Sequence, residues 1–370
     1  MSISAGLVGL PNVGKSTLFN ALTKAGVPAE NYPFCTIDPH VACTIVPDKR
    51  IAKLFAIYKS PKHIQATVEF VDIAGLVKGA ASGEGLGNQF LSHIRETNLI
   101  LHVLRCFSDL NIISTQAELD PVADYEIIMT ELMLKDLESV QKRIVKVDSL
   151  AKQNKHNPIE LKEILEEKQL LISVEEAINK QDHAQIRQRI NQSSLKTVEL
   201  LSSKESLFIA NISEEEIADD AFKNNPYYQK LVATFGVDRV IPICARLEYE
   251  LSTLSEAEAA DMTEMFGLKE KGLETIIEKT YNHLGLITFF TCGPKEIHAW
   301  PIKKGISVRA AAGEIHSDLE RGFICAEVFN AEDLFAYGSE QKLKEIGKIR
   351  TEGQDYIVRD GDILNIRFNV

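Results

Sequence analysis

The sequence Gly9-Leu-Pro-Asn-Val-Gly14-Lys15-Ser16 decides the fold. It matches the pattern GxxxxGK[ST] at every fixed position, follows an apolar run and precedes a helical pattern. Glycines allow backbone N–H groups to close around a polyphosphate, and the N-terminus of the following helix favours negative charge. We expect Lys15 to reach the β- and γ-phosphates and the Ser16 hydroxyl to bind Mg²⁺. The predicted phosphate-binding residues are Asn12, Val13, Gly14, Lys15, Ser16 and Thr17.

Short apolar runs alternate with helical patterns around this motif, which is the order of a parallel sheet flanked by helices. The predicted helix behind the motif covers Lys15–Lys24. The predicted buried strands are Ile3–Val8, Thr67–Val71, Leu99–Leu104, Ser206–Ala210 and Arg239–Ile243. The pattern therefore predicts an α/β nucleotide-binding domain.

A second motif is expected to place a carboxylate beside the phosphates. The apolar stretch Val68–Asp72 is followed by Ile-Ala-Gly75, which completes DxxG with Asp72 57 residues after Lys15, an interval typical of GTPases. We expect Asp72 to hold Mg²⁺ through water and the Gly75 N–H to sense the γ-phosphate. Thr36, between the two motifs, is expected to coordinate Mg²⁺ only while the γ-phosphate is present. These positions predict two switch segments.

The segment after the fourth predicted strand reads Asn211-Ile-Ser-Glu214, where GTPases carry NKxD. Ile212 replaces the lysine that packs against the nucleotide, and Glu214 is one methylene longer than the aspartate that binds guanine. Adenine has an amino group where guanine has a carbonyl, a suitable partner for the Asn211 oxygen or a nearby backbone carbonyl. Losing the guanine pattern removes the rejection of adenine, which predicts a preference for ATP. Backbone at Ala245 is expected to add base contacts; alternatively, Ser213 simply caps a helix starting at Glu214.

From about Pro121 the apolar residues recur at the spacing of a coiled-coil seam. The seam comprises Met133, Leu137, Val140, Ile144, Val147 and Ala151. Asn157-Pro158 interrupts this helix, because proline cannot continue a helix interior, and two more helical patterns follow at 164–178 and 186–201. These helices either cap the sheet or form a projecting antiparallel hairpin, and the seam favours the hairpin.

The last part of the chain changes pattern again. Two strands of a hairpin are predicted at Ile287–Thr291 and Ile297–Pro301, followed by a helix near Glu314–Arg321 and a strand near Ile363–Phe368. This pattern predicts a small β-rich domain.

The composition is that of a soluble globular protein. A length of 370 residues with 45% hydrophobic and 25% charged residues suits two or three domains. A formal charge of −12 argues against a protein that grips nucleic acid through bulk charge, and we expect no DNA partner. No stretch approaches the roughly 20 apolar residues that span a bilayer, and no signal peptide is recognised. We expect a cytoplasmic protein without membrane contact, whose six scattered cysteines are reduced.

Four segments together carry a resemblance to a known family. They read GLPNVGKST, YPFCT, DIAGLVKGAASGEGLGNQFL and TCGPKEIHAW, and the whole chain resembles the YchF subfamily of Obg-like ATPases, which are TRAFAC-class P-loop NTPases. The resemblance implies a P-loop GTPase-like domain at 1–121 and 202–281 and a helical coiled-coil insert at 122–201. It implies a C-terminal TGS domain of β-grasp type at 283–370. It also implies ATP preference and the ribosome as a partner.

The resemblance bears on catalysis as well. Leu76 stands where Ras-like enzymes place the glutamine that orients water, so slow hydrolysis completed by another group or a partner is implied. Asn12 matches the asparagine with which relatives place K⁺ near the phosphates, whereas Ser114 stands where many relatives carry a histidine. The predicted catalytic residues are Lys15, Thr36, Gly75 and Asn12.

Three functions fit these observations. The first is a monomeric, ribosome-associated ATPase switch in which Mg²⁺ and ATP order both switch segments. The second is a GTPase of the same fold. The third is a nucleotide-gated ribosome-binding sensor whose turnover is incidental. Stimulation of turnover by K⁺ or ribosomes would separate the first from the third.

Overall fold

The computed structural model describes residues 3–26, 38, 40–73, 86–108, 119–180, 185–186, 198–268 and 271–369. In these ranges the strands are β1 (Ser4–Val8), β2 (Val41–Ile45), β3 (Lys62–Ile64), β4 (Thr67–Asp72), β5 (Leu99–Arg105), β6 (Glu205–Asn211), β7 (Val240–Ile243), β8 (Leu286–Cys292), β9 (Glu296–Lys303), β10 (Phe323–Asn330), β11 (Arg350–Glu352) and β12 (Asp362–Phe368).

The α-helices of the first three hundred residues are α1 (Lys15–Ala25), α2 (Lys49–Tyr58), α3 (Leu86–Glu96), α4 (Pro121–Gln153), α5 (Pro158–Asn179), α6 (Glu214–Ile217), α7 (Pro226–Phe235), α8 (Ala245–Leu251), α9 (Glu256–Met265) and α10 (Gly272–His283). The later ones are α11 (Val308–Ile315), α12 (Ser317–Arg321), α13 (Ala331–Tyr337) and α14 (Glu340–Glu345). Of the helices described, none is long and apolar enough to cross a membrane.

The first sheet has the strand order β2-β4-β1-β5-β6-β7. Every neighbouring pair is parallel except β2 with β4. All residues of β1 and β5 are buried, as expected for parallel strands that helices cover on both faces. The five strands predicted from apolar runs lie in this sheet, within two residues of their predicted bounds. Because parallel strands end at one edge, β1, β4, β6 and β7 bring their following loops together there.

The two long helices α4 and α5 form an antiparallel pair. Their contacts run in opposite directions along the chain: Gln141 reaches Glu175, and Arg143 reaches Glu167. Asn157 caps α5, and Pro158 occupies its first turn, where the missing N–H costs nothing. The packed seam comprises Met133, Leu137, Val140, Ile144, Val147, Ile164, Leu171, Val174 and Ile178.

Each of the two predicted arrangements describes a different part of α4. Near its start, Ile128, Met129 and Leu132 belong to the main core and cover the first sheet. From Met133 onward the helix packs on α5 instead. The third helical pattern, at 186–201, lies largely outside the described residues.

Asp136 fastens the helical pair to the strand that leads to the site. Its carboxylate accepts hydrogen bonds from Leu201 N at 2.8 Å, Ser202 N at 2.8 Å and Ser202 Oγ at 2.6 Å. Burial raises the pKa of Asp136 to about 6, against the effect of these donors. The two anchored residues stand just before β6, so the start of β6 is fixed to α4.

The second sheet has the order β11-β10-β12-β8-β9-β3. The predicted hairpin is present as β8 and β9, which are antiparallel, and the predicted final strand is β12. The helical stretch predicted near Glu314–Arg321 is present, but it is divided between α11 and α12. The two helices are separated at His316, whose extended backbone (φ −166°) ends one helix while its ring caps the next. This helix break could not be predicted from the spacing of apolar residues, because it depends on a polar cap by a histidine ring.

The second sheet also takes a strand from far away in the sequence. β3, between β2 and β4 in the chain, pairs in parallel with β9. Arg50 on α2 binds Asp48 and Asp360 and lies over the ring of Phe290, 5.1 Å from its centroid. Ser60 Oγ donates to Gly293 O at 2.6 Å. The segment from α2 to β3 therefore joins the two sheets.

One expectation about cysteine is wrong. Cys43 on β2 is disulfide-bonded, whereas Cys106, Cys244, Cys292 and Cys325 are free thiols. The absence of a CxxC pair excludes only one kind of bridge, because disulfide formation depends on Cα separation in space rather than on spacing in sequence.

Candidate functional site

The glycine-rich loop joins the end of β1 to the start of α1. Gly14 is the N-cap of α1 with φ of 94°, a left-handed conformation that glycine adopts without strain. A Cβ on Gly14 would also lie 2.2 Å from Asn211 Nδ2. Asn12 has φ of 65°, which asparagine tolerates better than most residues. The loop therefore wraps the N-terminus of an eleven-residue helix, and a helix N-terminus with free backbone N–H groups is an arrangement that binds phosphate.

Lys15 and Asp72 meet at the edge where β1 and β4 end. Lys15 Nζ donates to Asp72 Oδ1 in an ion pair, and Leu7 on β1 lies opposite Asp72. The Asp72 N–H donates to His40 O at 2.8 Å, which fixes the end of β4 to the residue before β2. Ser16 follows Lys15 and is exposed. A serine hydroxyl and a carboxylate are hard oxygen ligands, so this donor set fits Mg²⁺.

Other predicted positions lie outside the described residues. These are Thr36 and Gly75 of the two switch segments, together with Leu76 and Ser114. Their roles stay predictions, and Thr17 stays one as well although it lies in the first turn of α1.

Asn211 connects the phosphate loop to the start of α8. Its Nδ2 donates to Val13 O at 2.8 Å, and its Oδ1 accepts from Ala245 N at 2.9 Å. The side chain is buried, with 4% of the residue exposed. Each carboxamide atom keeps capacity for one more hydrogen bond. The expected contact between the Asn211 oxygen and an adenine amino group stays a prediction, but the oxygen already has one partner.

The residues after Asn211 turn away from the strand into a short helix. Ile212 is 1% exposed; its side chain packs among buried apolar residues, while its N–H donates to Ile243 O at 2.7 Å. Ser213 caps α6, and Glu214 is its first residue. The alternative description of this segment as a capped helix start is therefore correct as geometry, and it leaves a base-binding role of Glu214 untested.

The charge of Glu214 acts on two residues that follow β7, Cys244 and Arg246. Glu250 and then Glu214 raise the pKa of Arg246, and burial followed by Glu214 raises the pKa of Cys244. Its negative charge therefore lies close to the first turn of α8. One end of this sheet edge carries Asn211, Glu214 and Ala245. The other end carries Lys15 and Asp72.

Comparisons with known proteins agree with this arrangement. A family model for YchF-GTPase_C, described as a protein of unknown function (DUF933), matches residues 286–369, and one described as a 50S ribosome-binding GTPase matches residues 4–135. The ribosome-binding ATPase YchF of Bacillus subtilis is 46% identical over 370 residues, with 100% of both chains covered. The chain belongs to the YchF family. The ribosome-binding ATPase YchF of Escherichia coli O157:H7 is 43% identical over 377 residues, again with 100% of both chains covered.

A solved structure of the YchF family has the same fold. The YchF GTPase of Schizosaccharomyces pombe is 36% identical, with a TM-score of 0.86, and covers 99% of this chain and 98% of its own. The predicted fold class, an α/β P-loop GTPase-like protein with further helical and C-terminal β-rich parts, is confirmed. The bacterial relatives are named ATPases and the yeast relative a GTPase. Membership of the YchF family alone therefore does not identify whether the nucleotide base is adenine or guanine.

Two buried polar residues that position the site went unrecognised in the sequence. Asn225 Nδ2 donates to Cys106 O at 2.8 Å and Glu216 Oε2 at 3.0 Å, which ties α6 to the end of β5. Glu248 accepts from Gly272 N at 2.7 Å and Leu273 N at 3.2 Å, which ties α8 to α10. For Asn225 a signal existed, because Asn225-Pro226 is a helix-start pattern. Glu248 carried no local signal.

Proposed function

We propose that this chain is an ATP-binding and slowly ATP-hydrolysing switch that binds the ribosome. The names of the bacterial relatives, 46% and 43% identical over their full length, support both parts. The observation that carries the ATP part is the segment Asn211–Glu214. It occupies the end of β6 beside the phosphate loop, where the guanine-reading aspartate of a GTPase would stand.

The geometry of that segment supports adenine in a specific way. Asn211 Oδ1 and Nδ2 each have a protein partner, so the carboxamide is held in one orientation. Glu214 opens α6, where the helix dipole favours its negative charge. Selection of the base then falls to the backbone around Ile212 and Ala245, with the remaining lone pair of Asn211. Carbonyl acceptors in this position suit the adenine amino group and oppose the guanine carbonyl.

Mg²⁺ is the cofactor that this site supports. Ser16 and Asp72 would hold it with phosphate oxygens, and Thr36 would join them in the triphosphate state. When bound, Mg²⁺ supplies positive charge to the β- and γ-phosphates. Lys15 adds a second positive charge, and Gly75 is proposed to donate its N–H to the γ-phosphate. Asn12, whose left-handed backbone turns the loop, is the proposed K⁺ position.

The remaining proposals concern organisation. We propose a nucleotide-binding domain at 1–121 and 202–281, a helical insert at 122–201 and a TGS domain at 283–370, in a monomeric cytoplasmic protein that uses neither membrane nor DNA. The second sheet with its flanking helices supports the last domain, and β3 supports a fixed contact between it and the nucleotide-binding domain.

Calorimetry with non-hydrolysable ATP and GTP analogues, in Mg²⁺ and K⁺, tests the proposed base. Tighter binding of the ATP analogue by tenfold or more, about 1.4 kcal/mol, is expected. Equal or tighter binding of the GTP analogue would make the chain a GTPase, as the yeast relative is named. Co-sedimentation with ribosomes, with and without the ATP analogue, tests the partner.

A nucleotide-gated sensor is the second candidate, and Leu76 favours it because leucine cannot orient the attacking water. Steady-state phosphate release, measured with K⁺ and then with ribosomes, separates the two. We expect stimulation by at least one of them. Turnover that neither K⁺ nor ribosomes raises would favour the sensor.

A further inference from the structure

The most basic part of this acidic chain lies on the surface between the two sheets. Residues 49–68 contain five Lys and Arg and no Asp or Glu, so their net charge is +5 in a chain of −12. The cations are Lys49, Arg50, Lys53, Lys59 and Lys62. The stretch forms α2 and β3 and the start of β4. Arg50 pairs with Asp360 between the two sheets, whereas the four lysines are exposed.

Two aromatic rings lie exposed among these lysines. Phe55 on α2 is 43% exposed, and its ring contacts the exposed ring of His63 on β3 with centroids 5.6 Å apart and planes at 72°. Lys59 is one helical turn after Phe55, and Lys62 precedes His63. We name Phe55, Lys59, Lys62 and His63 the aromatic–basic patch. An exposed phenylalanine amid positive charge is a feature of surfaces that bind nucleic acid, since bases stack on rings and phosphates pair with lysines.

The backbone holds this patch rigidly. Lys59 ends α2 in the left-handed conformation with φ of 50°, and its N–H donates to Phe55 O at 2.9 Å. Ser60 is 1% exposed and bonds Gly293 O in the second sheet. β3 then pairs with β9 as the edge strand. The patch is therefore presented without the entropy that a flexible loop would lose on binding.

Lysine is an unexpected residue at position 59. Glycine is the common residue at a left-handed helix end, because a side chain there costs roughly 1 kcal/mol or more of local strain. In the part of the chain that the structure describes, the Lys59 ammonium has no hydrogen-bond or ion-pair partner that would repay this cost. A strained residue without a structural reason points to a function of its side chain.

We propose that the aromatic–basic patch binds single-stranded RNA. One base stacks on the ring of Phe55 beside His63, and Lys59 and Lys62 contact the adjoining phosphates. Lys62 pairs with Glu296 at 2.9 Å, but both side chains are exposed, and a phosphate can replace such a weak pair. Stacking favours RNA over an acidic peptide, which would use the lysines and leave the rings uncovered. The inference rests on the proposed function, because it names the ribosomal component that this surface contacts.

Fluorescence anisotropy of a labelled twelve-nucleotide oligouridine with the full chain tests this. We expect Phe55→Ala to weaken binding by about tenfold, the loss of one stacked base. Lys59→Gly removes the charge while relieving the left-handed strain, so it should keep or raise thermal stability and still weaken binding. It should also reduce the slope of log affinity against log salt by about 0.7, the value for one phosphate contact. Lys344→Gly, which removes an exposed lysine of α14, is the charge-matched control and should bind like the wild type.

Two results would overturn the proposal: wild-type affinity in both Phe55→Ala and Lys59→Gly, or equal weakening in Lys344→Gly. Ribosome co-sedimentation of the same proteins separates this inference from the proposed function. Wild-type pelleting that both patch variants retain refutes the patch and leaves ribosome binding standing. Failure of the wild-type protein to pellet refutes ribosome binding, and the oligouridine result then decides the patch alone.

Discussion

Replacing Asn211 by alanine should loosen the phosphate loop and lower both stability and nucleotide affinity. The substitution removes the partners of two buried groups, Val13 O and Ala245 N, at 2.8 and 2.9 Å. A buried polar group left without a partner costs about 1–3 kcal/mol, so two of them give roughly 2–6 kcal/mol. Water entering the space of the lost carboxamide places the result toward the lower end.

Asn211→Asp is the matched variant, because it keeps the shape and reverses one interaction. The Ala245 N–H still donates to a carboxylate oxygen, but the other oxygen now faces Val13 O. This repulsion, with burial, raises the pKa of the new carboxyl above its unfolded value. A raised pKa gives stability that is fully present below the unfolded pKa, near 3.9, and lost as pH rises through the folded pKa. The free energy of unfolding of Asn211→Asp should therefore be lower than that of Asn211→Ala at pH 8, and it should rise again at pH 5.

Urea unfolding gives the stabilities, and calorimetry with an ATP analogue gives the affinities. Gly14→Ala supplies a further check, since its Cβ would lie 2.2 Å from Asn211 Nδ2. Combined with Asn211→Ala, that clash disappears, so the two substitutions should cost less together than the sum of their separate effects. Additive costs, or a loss below about 0.5 kcal/mol in Asn211→Ala, would refute the assigned role of this carboxamide.

Three further predictions follow from the site and the second sheet. Lys15→Ala should abolish tight triphosphate binding in calorimetry, and unchanged affinity would reject the phosphate-loop assignment. Asn12→Ala should remove any K⁺ stimulation of phosphate release while keeping ATP-analogue affinity; persistent stimulation would reject Asn12 as the K⁺ position. Burial lowers the pKa of His298 to about 4, so the free energy of unfolding should fall by up to about 3 kcal/mol as pH falls from 6.5 to 4. In urea unfolding, His298→Phe should remove that part of the pH dependence. Trp300, the single tryptophan, stacks on His298 at 3.6 Å, and its fluorescence should fall with the same pKa, whereas a pH-independent signal would contradict it.

The elements that could be predicted are those specified by local pattern. The phosphate loop and its flanking strand and helix follow from glycine, lysine and an apolar run, and the seam of α4 follows from its spacing. β3 could not be predicted, because three residues carry too little alternation and its partner β9 lies more than two hundred residues away. The break at His316 depends on one side chain, whose ring nitrogen accepts a hydrogen bond from the Asp318 N–H.

Local motifs identify candidate site residues where a residue type has one chemical use, but they miss contacts whose partners come from different strands. Lys15 and Asp72 were assigned from motifs, and the structure brings them together. The two bonds of Asn211 depend on where β1, β6 and β7 end relative to each other, which no local pattern encodes. Glu248 meets Gly272 across 24 residues for the same reason.

The path from β2 to β4 gives a physical reason to expect that nucleotide and RNA influence each other. β2 and β4 belong to the first sheet and β3 to the second, so one continuous segment enters both. Only Gln65 and Ala66 separate β3 from β4, and Val46 N donates to Ala66 O at 2.8 Å, which leaves little slack. β4 ends at Asp72, which pairs with Lys15 of the phosphate loop, and β3 carries His63 of the aromatic–basic patch. Because linkage is reciprocal, we expect an ATP analogue to change oligouridine affinity by the same factor as oligouridine changes ATP-analogue affinity. Two titrations, one by anisotropy and one by calorimetry, measure that factor, and a value of one in both would mean that the segment transmits nothing.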